Sequence, residues 1–240
     1  MTDATYRNFG HYIGEGWSAE PKQTFLALAQ QLTAECGEPS GELLDIGCAT
    51  GELIGFLQSR FRGLKATGVD IFDELLAQAR KHVPDANFIK ASALDLPNDF
   101  ANRFAVVTAI GVASVFDEKD IQVFWRNALK AAKRGGVVAV LSPLNEFGVD
   151  TVTRHRKRRD GTPLAWETGW NVYAIETINE IVTALGATIR VERFRFRGHL
   201  EPKPDPVRTW TMSTEKDPEQ LTNGMKLLID HYFMIARKKD

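Results

Sequence analysis

The feature that most constrains the fold is the run Leu43-Leu44-Asp45-Ile46-Gly47-Cys48-Ala49-Thr50-Gly51. Glu42–Gly47 has the continuous apolar character of a strand buried on both faces. The turn that follows is rich in glycine, and Leu53, Phe56, Leu57 and Phe61 then recur at helical spacing. This strand–turn–helix unit sets a beat that the chain keeps. Gly68-Val69-Asp70 closes a second strand, and Asp73 opens a helix carrying Leu75, Leu76, Ala79 and Val83. Asn87–Lys90 predicts a third strand and Phe104–Ala109 a fourth.

From Asp117 onward, Ile121, Phe124, Trp125, Ala128, Leu129 and Ala132 repeat at three and four, until Lys133-Arg134-Gly135 supplies a basic last turn and a glycine stop. Gly136–Leu141 predicts a fifth strand. A helix over Thr177–Leu185, a strand over Ala187–Phe196 and a strand-like run over Lys226–Ala236 complete the pattern. The alternation predicts an α/β fold: a doubly wound, mostly parallel seven-stranded sheet with helices on both faces. One domain over residues 1–240 is expected, with a cofactor-binding core at 42–142. An N-terminal lid and helix at 1–36 precede it, and residues 143–171 and 197–223 form insertions on the substrate side. The lid expectation rests on Tyr6, Phe9, Tyr12 and Trp17 interleaved with glycines.

Thirty basic groups against 31 acidic ones leave a net charge of −1. No global field therefore draws the chain to nucleic acid or a membrane, and any such attraction has to come from a local patch. Cys36 and Cys48 make no disulfide framework, and with five histidines they show no metal-ligand spacing, so no metal is expected. The opening residues lack a basic and apolar leader, and the apolar runs fall well short of a membrane span, which together predict a cytoplasmic protein.

The chemistry is read at the first turn. A dinucleotide fingerprint requires glycine at its first, third and sixth places, but from Gly47 those places hold Gly47, Ala49 and Glu52. Walker A fails too, since no Gly-Lys-Ser/Thr follows. Asp45, just before the turn, would repel phosphate and suits a cation. Asp70 ends the second strand beside the same crevice, where a carboxylate can accept from both hydroxyls of a ribose. Two acids and no phosphate clamp describe a nucleoside that carries positive charge. The plainer alternatives are a turn-capping role for Asp45, an ordinary loop position for Ser92 and simple packing for Cys48.

These residues, followed by Gly68-Val69-Asp70-Ile71, Ala91-Ser92-Ala93-Leu94-Asp95-Leu96-Pro97, Phe104–Ile110 and Lys133-Arg134-Gly135-Gly136, resemble the class I S-adenosylmethionine-dependent methyltransferases from about Leu43 to Ser142. The resemblance implies a transferase that takes S-adenosyl-L-methionine and releases S-adenosyl-L-homocysteine. It implies that Gly47, Cys48, Ala49 and Gly51 border the methionine part, Asp45 holds its amino end, and Asp70 takes the ribose. Ile71 would pack on the adenine, Ser92 and Ala93 would lie at its edge, and Ala109 and Ile110 would border the sulfonium. Ser92 stands where the family often has an aspartate, so recognition there would rest on backbone or a hydroxyl. Ala105 replaces another common acid, at a position that looks peripheral.

Trp17 is expected to close over the cofactor. Tyr12, Arg154, His155, Tyr173 and Arg208 are candidates for the acceptor site, and His155, His11 and Tyr173 are candidate bases. His199 is a weaker one, and Trp166, Glu167 and Trp170 are further candidates for the pocket lining. The basic run Arg154–Arg159 either stays solvated or holds an anion. No Asn/Asp-Pro-Pro-aromatic element follows the fourth strand, which disfavours methylation of base amines. The expectation is O- or N-methylation of a small, anionic metabolite or sugar-type acceptor. RNA methylation through the basic insertions, or a non-catalytic cofactor-binding role, are the alternatives.

Overall fold

The computed structural model describes residues 20–201, 210–222 and 228–238, together with Ile13 and Trp17. Helix α1 is Gln23–Cys36, and the core alternates β1 (Gly41–Ile46), α2 (Glu52–Arg60), β2 (Leu64–Asp70), α3 (Asp73–His82), β3 (Asn87–Lys90), β4 (Phe104–Ile110), α4 (Asp120–Ala131) and β5 (Ala132–Asn145). Four two-residue strands follow: β6 (Arg154–His155), β7 (Arg158–Arg159), β8 (Thr162–Pro163) and β9 (Glu167–Thr168). Then come β10 (Tyr173–Ala174), α5 (Ile175–Ala184), β11 (Ala187–Phe194), β12 (Trp210–Met212), β13 (Gln220–Thr222) and β14 (Leu228–Lys238).

The sheet order is β12-β13-β14-β5-β4-β1-β2-β3, with β10 added to β5 and β11 to β14. Strands β1 to β5 are mutually parallel where they pair, whereas β14 runs antiparallel to both β5 and β11. The seven expected strands are present, and β10, β12 and β13 widen the sheet to ten. Successive residues of the buried strands face opposite helical layers, as the two-residue side-chain period requires. Leu43, Val106, Val137 and Ala139 pack with Leu28, Leu57 and Leu76 of α1–α3, whereas Leu44, Val107, Val138 and Val140 pack with Phe124, Trp125 and Val182 of α4 and α5.

Some boundaries differ from expectation for identifiable reasons. Helix α4 starts three residues after Asp117, because Asp117 Oδ1 accepts from the amides of Lys119 and Asp120 (3.0 Å each) as a cap outside the helix. Strand β5 continues through Pro143 to Asn145. The pairing of β4 with β5 ends at Leu141, so Pro143 lies opposite β14 alone and its missing N–H costs no bond to β4. The expected insertion at 143–171 therefore begins inside a strand. The later one contributes β12 and β13, while residues 202–209 and 223–227 lie outside the described residues. No helix among the described residues is long and apolar enough to cross a membrane.

Candidate active site

Strand order reverses between β1 and β4, and the loops at their carboxyl ends must part there. A cavity of about 330 Å³ occupies that place, walled by the turns after β1, β2 and β4 and by the start of α1. The β1 turn is held from below: the amides of Gly47 and Cys48 both donate to the Val69 carbonyl, at 2.8 and 3.0 Å. Gly47 has φ +74°, and a Cβ placed on it would meet Val112 Cγ2 at 2.4 Å. The glycine thus serves two needs, a left-handed turn and the close approach of the turn after β4. Ala49, also left-handed at φ +46°, carries strain in the same turn.

Asp70 ties the two halves of the wall together. Its Oδ2 accepts from the Ala49 amide at 3.0 Å and its Oδ1 from the Phe72 amide at 3.1 Å. Each oxygen keeps a second lone pair for a ligand. Burial raises the Asp70 pKa, and the backbone N–H groups of Phe72 and Ala49 pull it part of the way back. Asp45 is deeper, 2% exposed, and accepts from the Thr108 hydroxyl at 2.7 Å. Desolvation pushes its pKa up to about 7, against the Thr108 bond and with some help from the Asp70 charge. Two carboxylates that have no cationic partner among the described residues thus face one cavity, a deficit that a positively charged ligand would relieve.

The other expected wall residues divide. Cys48, Ala49, Ile71, Ser92, Ala93 and Ile110 line the cavity. Ser92 Oγ accepts from the Leu94 amide at 3.1 Å, which shapes the loop at this edge. Burial raises the Cys48 thiol pKa, so this cysteine packs rather than reacts. Gly51 is not in the wall: it caps α2 at φ +81°, where a Cβ would crowd Phe88 and Ala79. Ala109 is fully buried inside β4, and the wall begins one residue later, at Ile110, and continues through Gly111, Val112, Val115 and Phe116. Trp17 is not in the wall either. It lies on the far side of α2 and α3, its ring 4.8 Å from that of His82 and against Gly55.

The described acceptor-side and catalytic candidates do not line the cavity. Tyr173 is buried, and its hydroxyl donates to the Phe116 carbonyl at 2.9 Å. Burial and the nearby carboxylates Asp117 and Glu118 raise its pKa further, which removes it as a base and leaves it bracing the wall. His155 pairs with Glu167 at 3.5 Å on the β6–β9 ribbon, and Arg154 lies beside it with its guanidinium over Trp166. His199 is held by Thr211 and Glu201. His11, Tyr12 and Arg208, like Tyr6 and Phe9 of the expected lid, lie outside the described residues. Among the described residues no three His, Cys, Asp or Glu side chains come together to hold a metal ion.

The sequence reading overlooked two parts of the wall. Lys22 and Phe25 at the start of α1 reach it, Lys22 paired with Glu52 at 2.5 Å. The short 3-10 turn Ala113–Val115, with Phe116, forms the other. It is clamped by Asn171, which is fully buried: Nδ2 donates to the Phe116 carbonyl at 2.7 Å, the backbone amide donates to Ser114 O at 2.8 Å, and Oδ1 accepts from the Thr153 amide at 2.8 Å. Asn171→Ala is expected to cost about 1–3 kcal/mol by removing one of the two donors to the Phe116 carbonyl and the acceptor of the Thr153 amide. Urea unfolding measures it, and an unchanged midpoint would remove the clamp from the account.

Residues 43–136 match the family model described as "Methyltransferase domain". Over 108 residues the chain is 29% identical to the demethylmenaquinone methyltransferase of Chlorobaculum tepidum, a match that covers 45% of this chain and 43% of that protein. The chain thus spans less than half the length of that relative. It is 27% identical over 183 residues to the trans-aconitate 2-methyltransferase of an Enterobacter species, covering 74% and 68% of the two chains. In fold it is similar to an S-adenosylmethionine-dependent methyltransferase from Clostridium acetobutylicum, with a TM-score of 0.60, 12% identity and 97% and 98% of the two chains covered.

Proposed function

We propose, from the premise that this chain belongs to the class I S-adenosylmethionine-dependent methyltransferases, that it transfers a methyl group from S-adenosyl-L-methionine to an oxygen or nitrogen of a small molecule. The observation that carries the reading is the pair Asp45 and Asp70, two buried carboxylates on one cavity that holds a single, already paired cation among its described wall residues. A phosphate-bearing dinucleotide would meet repulsion there, and a sulfonium nucleoside would meet attraction.

The residues fit that group. Asp70 would accept from the ribose hydroxyls, and Asp45, directly or through water, would hold the amino end beside Gly47–Ala49. Ile71 would cover one adenine face, with Ser92 and Ala93 at its edge. When bound, the cofactor supplies an electrophilic methyl on a positively charged sulfur. The chain's own task is to position the acceptor in line and to keep water out, which the apolar surface of Ile110, Val112, Val115 and Phe116 serves. No histidine or tyrosine stands in the described wall, which favours an acceptor that needs little help losing a proton. The expected anionic character of the acceptor draws no support from this wall, where Lys22 is already paired with Glu52. We place the enzyme in the cytoplasm.

The test of the reaction is incubation with methyl-labelled cofactor and a fractionated metabolite extract. Label in a small-molecule fraction supports the reading; label only in RNA, or none despite tight cofactor binding, overturns it. The site also predicts a pH dependence. Asp45 has a pKa of about 7, and a bound ammonium would lower it, so binding releases a proton below pH 7. Affinity should fall by up to about tenfold per unit below pH 7, and fall again above about 8 as the ligand's α-amino group deprotonates. Calorimetric titrations from pH 5.5 to 9 measure this, and Asp45→Asn should remove the part of the acid limb that begins near pH 7.

A further inference from the structure

The basic run Arg154–Arg159 plays no part in the cavity, and its structure is unlike that of a solvated charge run. From Thr151 to Arg158 burial alternates strictly around the short strands β6 and β7: Thr151, Thr153, His155 and Lys157 turn partly inward, while Val152, Arg154, Arg156 and Arg158 are exposed. The inward face is engaged, with Thr153 bonded to Asn171 and His155 to Glu167. The outward face carries three arginines at every second residue, Arg154, Arg156 and Arg158. None of Arg154, Arg156, Arg158 and Arg159 forms an ion pair with a carboxylate among the described residues. Trp166, 48% exposed, lies on the same face, its ring 6.0 Å from the Arg154 guanidinium and 5.1 Å from that of Arg156.

Apolar exposure is concentrated in the same excursion. Ten large apolar side chains are exposed among the described residues, and five of them, Phe147, Val149, Val152, Leu164 and Trp166, fall within these twenty residues. Phe147 is the most exposed of all, at 62%. Unpaired cations alone fit any polyanion, but aliphatic and aromatic side chains set among them fit a surface that is charged outside and hydrocarbon beneath. A nucleic acid would want a bare aromatic face for a base, and here two guanidinium groups stand within about 6 Å of the Trp166 ring. Indole and guanidinium together are at home in the headgroup layer of a bilayer.

We propose that the 147–166 excursion is a docking surface for an anionic lipid bilayer, binding peripherally through Arg154, Arg156 and Arg158 to phosphate groups while Phe147, Leu164 and Trp166 enter the headgroup–acyl boundary. This is the local patch that a chain of net charge −1 requires for any such attraction. The excursion is rooted on the cavity wall, because Asn171 and Tyr173 at its end hold the Phe116 carbonyl. Docking is thereby coupled in position to the mouth of the site. The inference goes beyond the proposed reaction and is tested without it.

The experiment is co-sedimentation of the full chain with phosphatidylglycerol–phosphatidylcholine vesicles and with pure phosphatidylcholine vesicles, from 50 to 500 mM salt. The chain should bind the anionic vesicles and not the zwitterionic ones, more weakly as salt screens the charges. Each cation contributes about fivefold at such a surface, so the triple variant R154Q/R156Q/R158Q should partition about 100-fold less. The variant F147S/L164S should lose the binding that survives at high salt. Both variants should keep the wild-type affinity for S-adenosyl-L-homocysteine, since none of these residues lines the cavity. Equal binding to both vesicle types, no binding to either, or wild-type partition of the triple variant would overturn the proposal. Binding of a single-stranded RNA oligonucleotide with the same arginine dependence, and none to vesicles, would overturn it in favour of nucleic acid.

Discussion

Gly47→Ala should destabilise the fold by about 2–5 kcal/mol. Two separate terms add to this figure. The left-handed backbone at φ +74° costs an alanine about 1–2 kcal/mol relative to glycine. The new methyl would stand 2.4 Å from Val112 Cγ2, and overpacking of that kind costs about 1–3 kcal/mol. For a domain of this size the two terms correspond to a fall in Tm of roughly 5–15 °C. A double-mutant cycle separates them. Val112→Ala removes the atom that clashes but leaves the backbone strain, so the pair should couple favourably by about 1 kcal/mol or more. Strictly additive effects would show that the turns after β1 and β4 do not press on each other, and the shape of the cavity would lose its explanation.

Asp70→Ala should weaken cofactor binding by about 1–3 kcal/mol, roughly five- to 150-fold, by removing charge-assisted hydrogen bonds to the ribose. The same change releases the Ala49 and Phe72 amides, so part of the loss would come from a loosened turn. Asp70→Asn divides the two effects only in part: its carbonyl oxygen can keep one of the two amides, but its NH2 group would face the other N–H and lose that bond. Burial raises the folded pKa of Asp70, so its ionised form works against stability as pH rises through that value. Removing the buried charge thus offsets part of the cost of the lost backbone bond, so at pH 8 the asparagine variant should be less destabilised than Asp70→Ala while still binding the cofactor more weakly than the wild type. Calorimetry and thermal unfolding, run side by side at pH 8, test both halves.

Local signals in the sequence carried much of this account. The first crossover was legible because glycine, apolar run and carboxylate sit within ten residues, and β3 lies at Asn87–Lys90 as expected. Asp45 and Asp70 could be placed on one crevice because parallel sheets put strand ends on one side. What escaped is what depends on distant pairing. Tyr173 looked like a candidate base, but β10 pairs with β5 and carries the hydroxyl to Phe116, 57 residues away in the chain. His155 was drawn into the ribbon by Glu167, a partner that no local pattern announces. Ala109 missed the wall by one residue, a shift that in a strand moves a side chain from cavity to core. Trp17 has the composition of a lid residue, yet the small Gly55 on α2 leaves room for its ring on the opposite side.

The most direct test of the central claim is a crystal structure of the chain with S-adenosyl-L-homocysteine. The account predicts both ribose hydroxyls within about 3 Å of the Asp70 carboxylate and the amino end against Gly47–Ala49 on the Asp45 side. A nucleoside bound elsewhere, or one seated there with Asp70 turned away from its ribose, would contradict it.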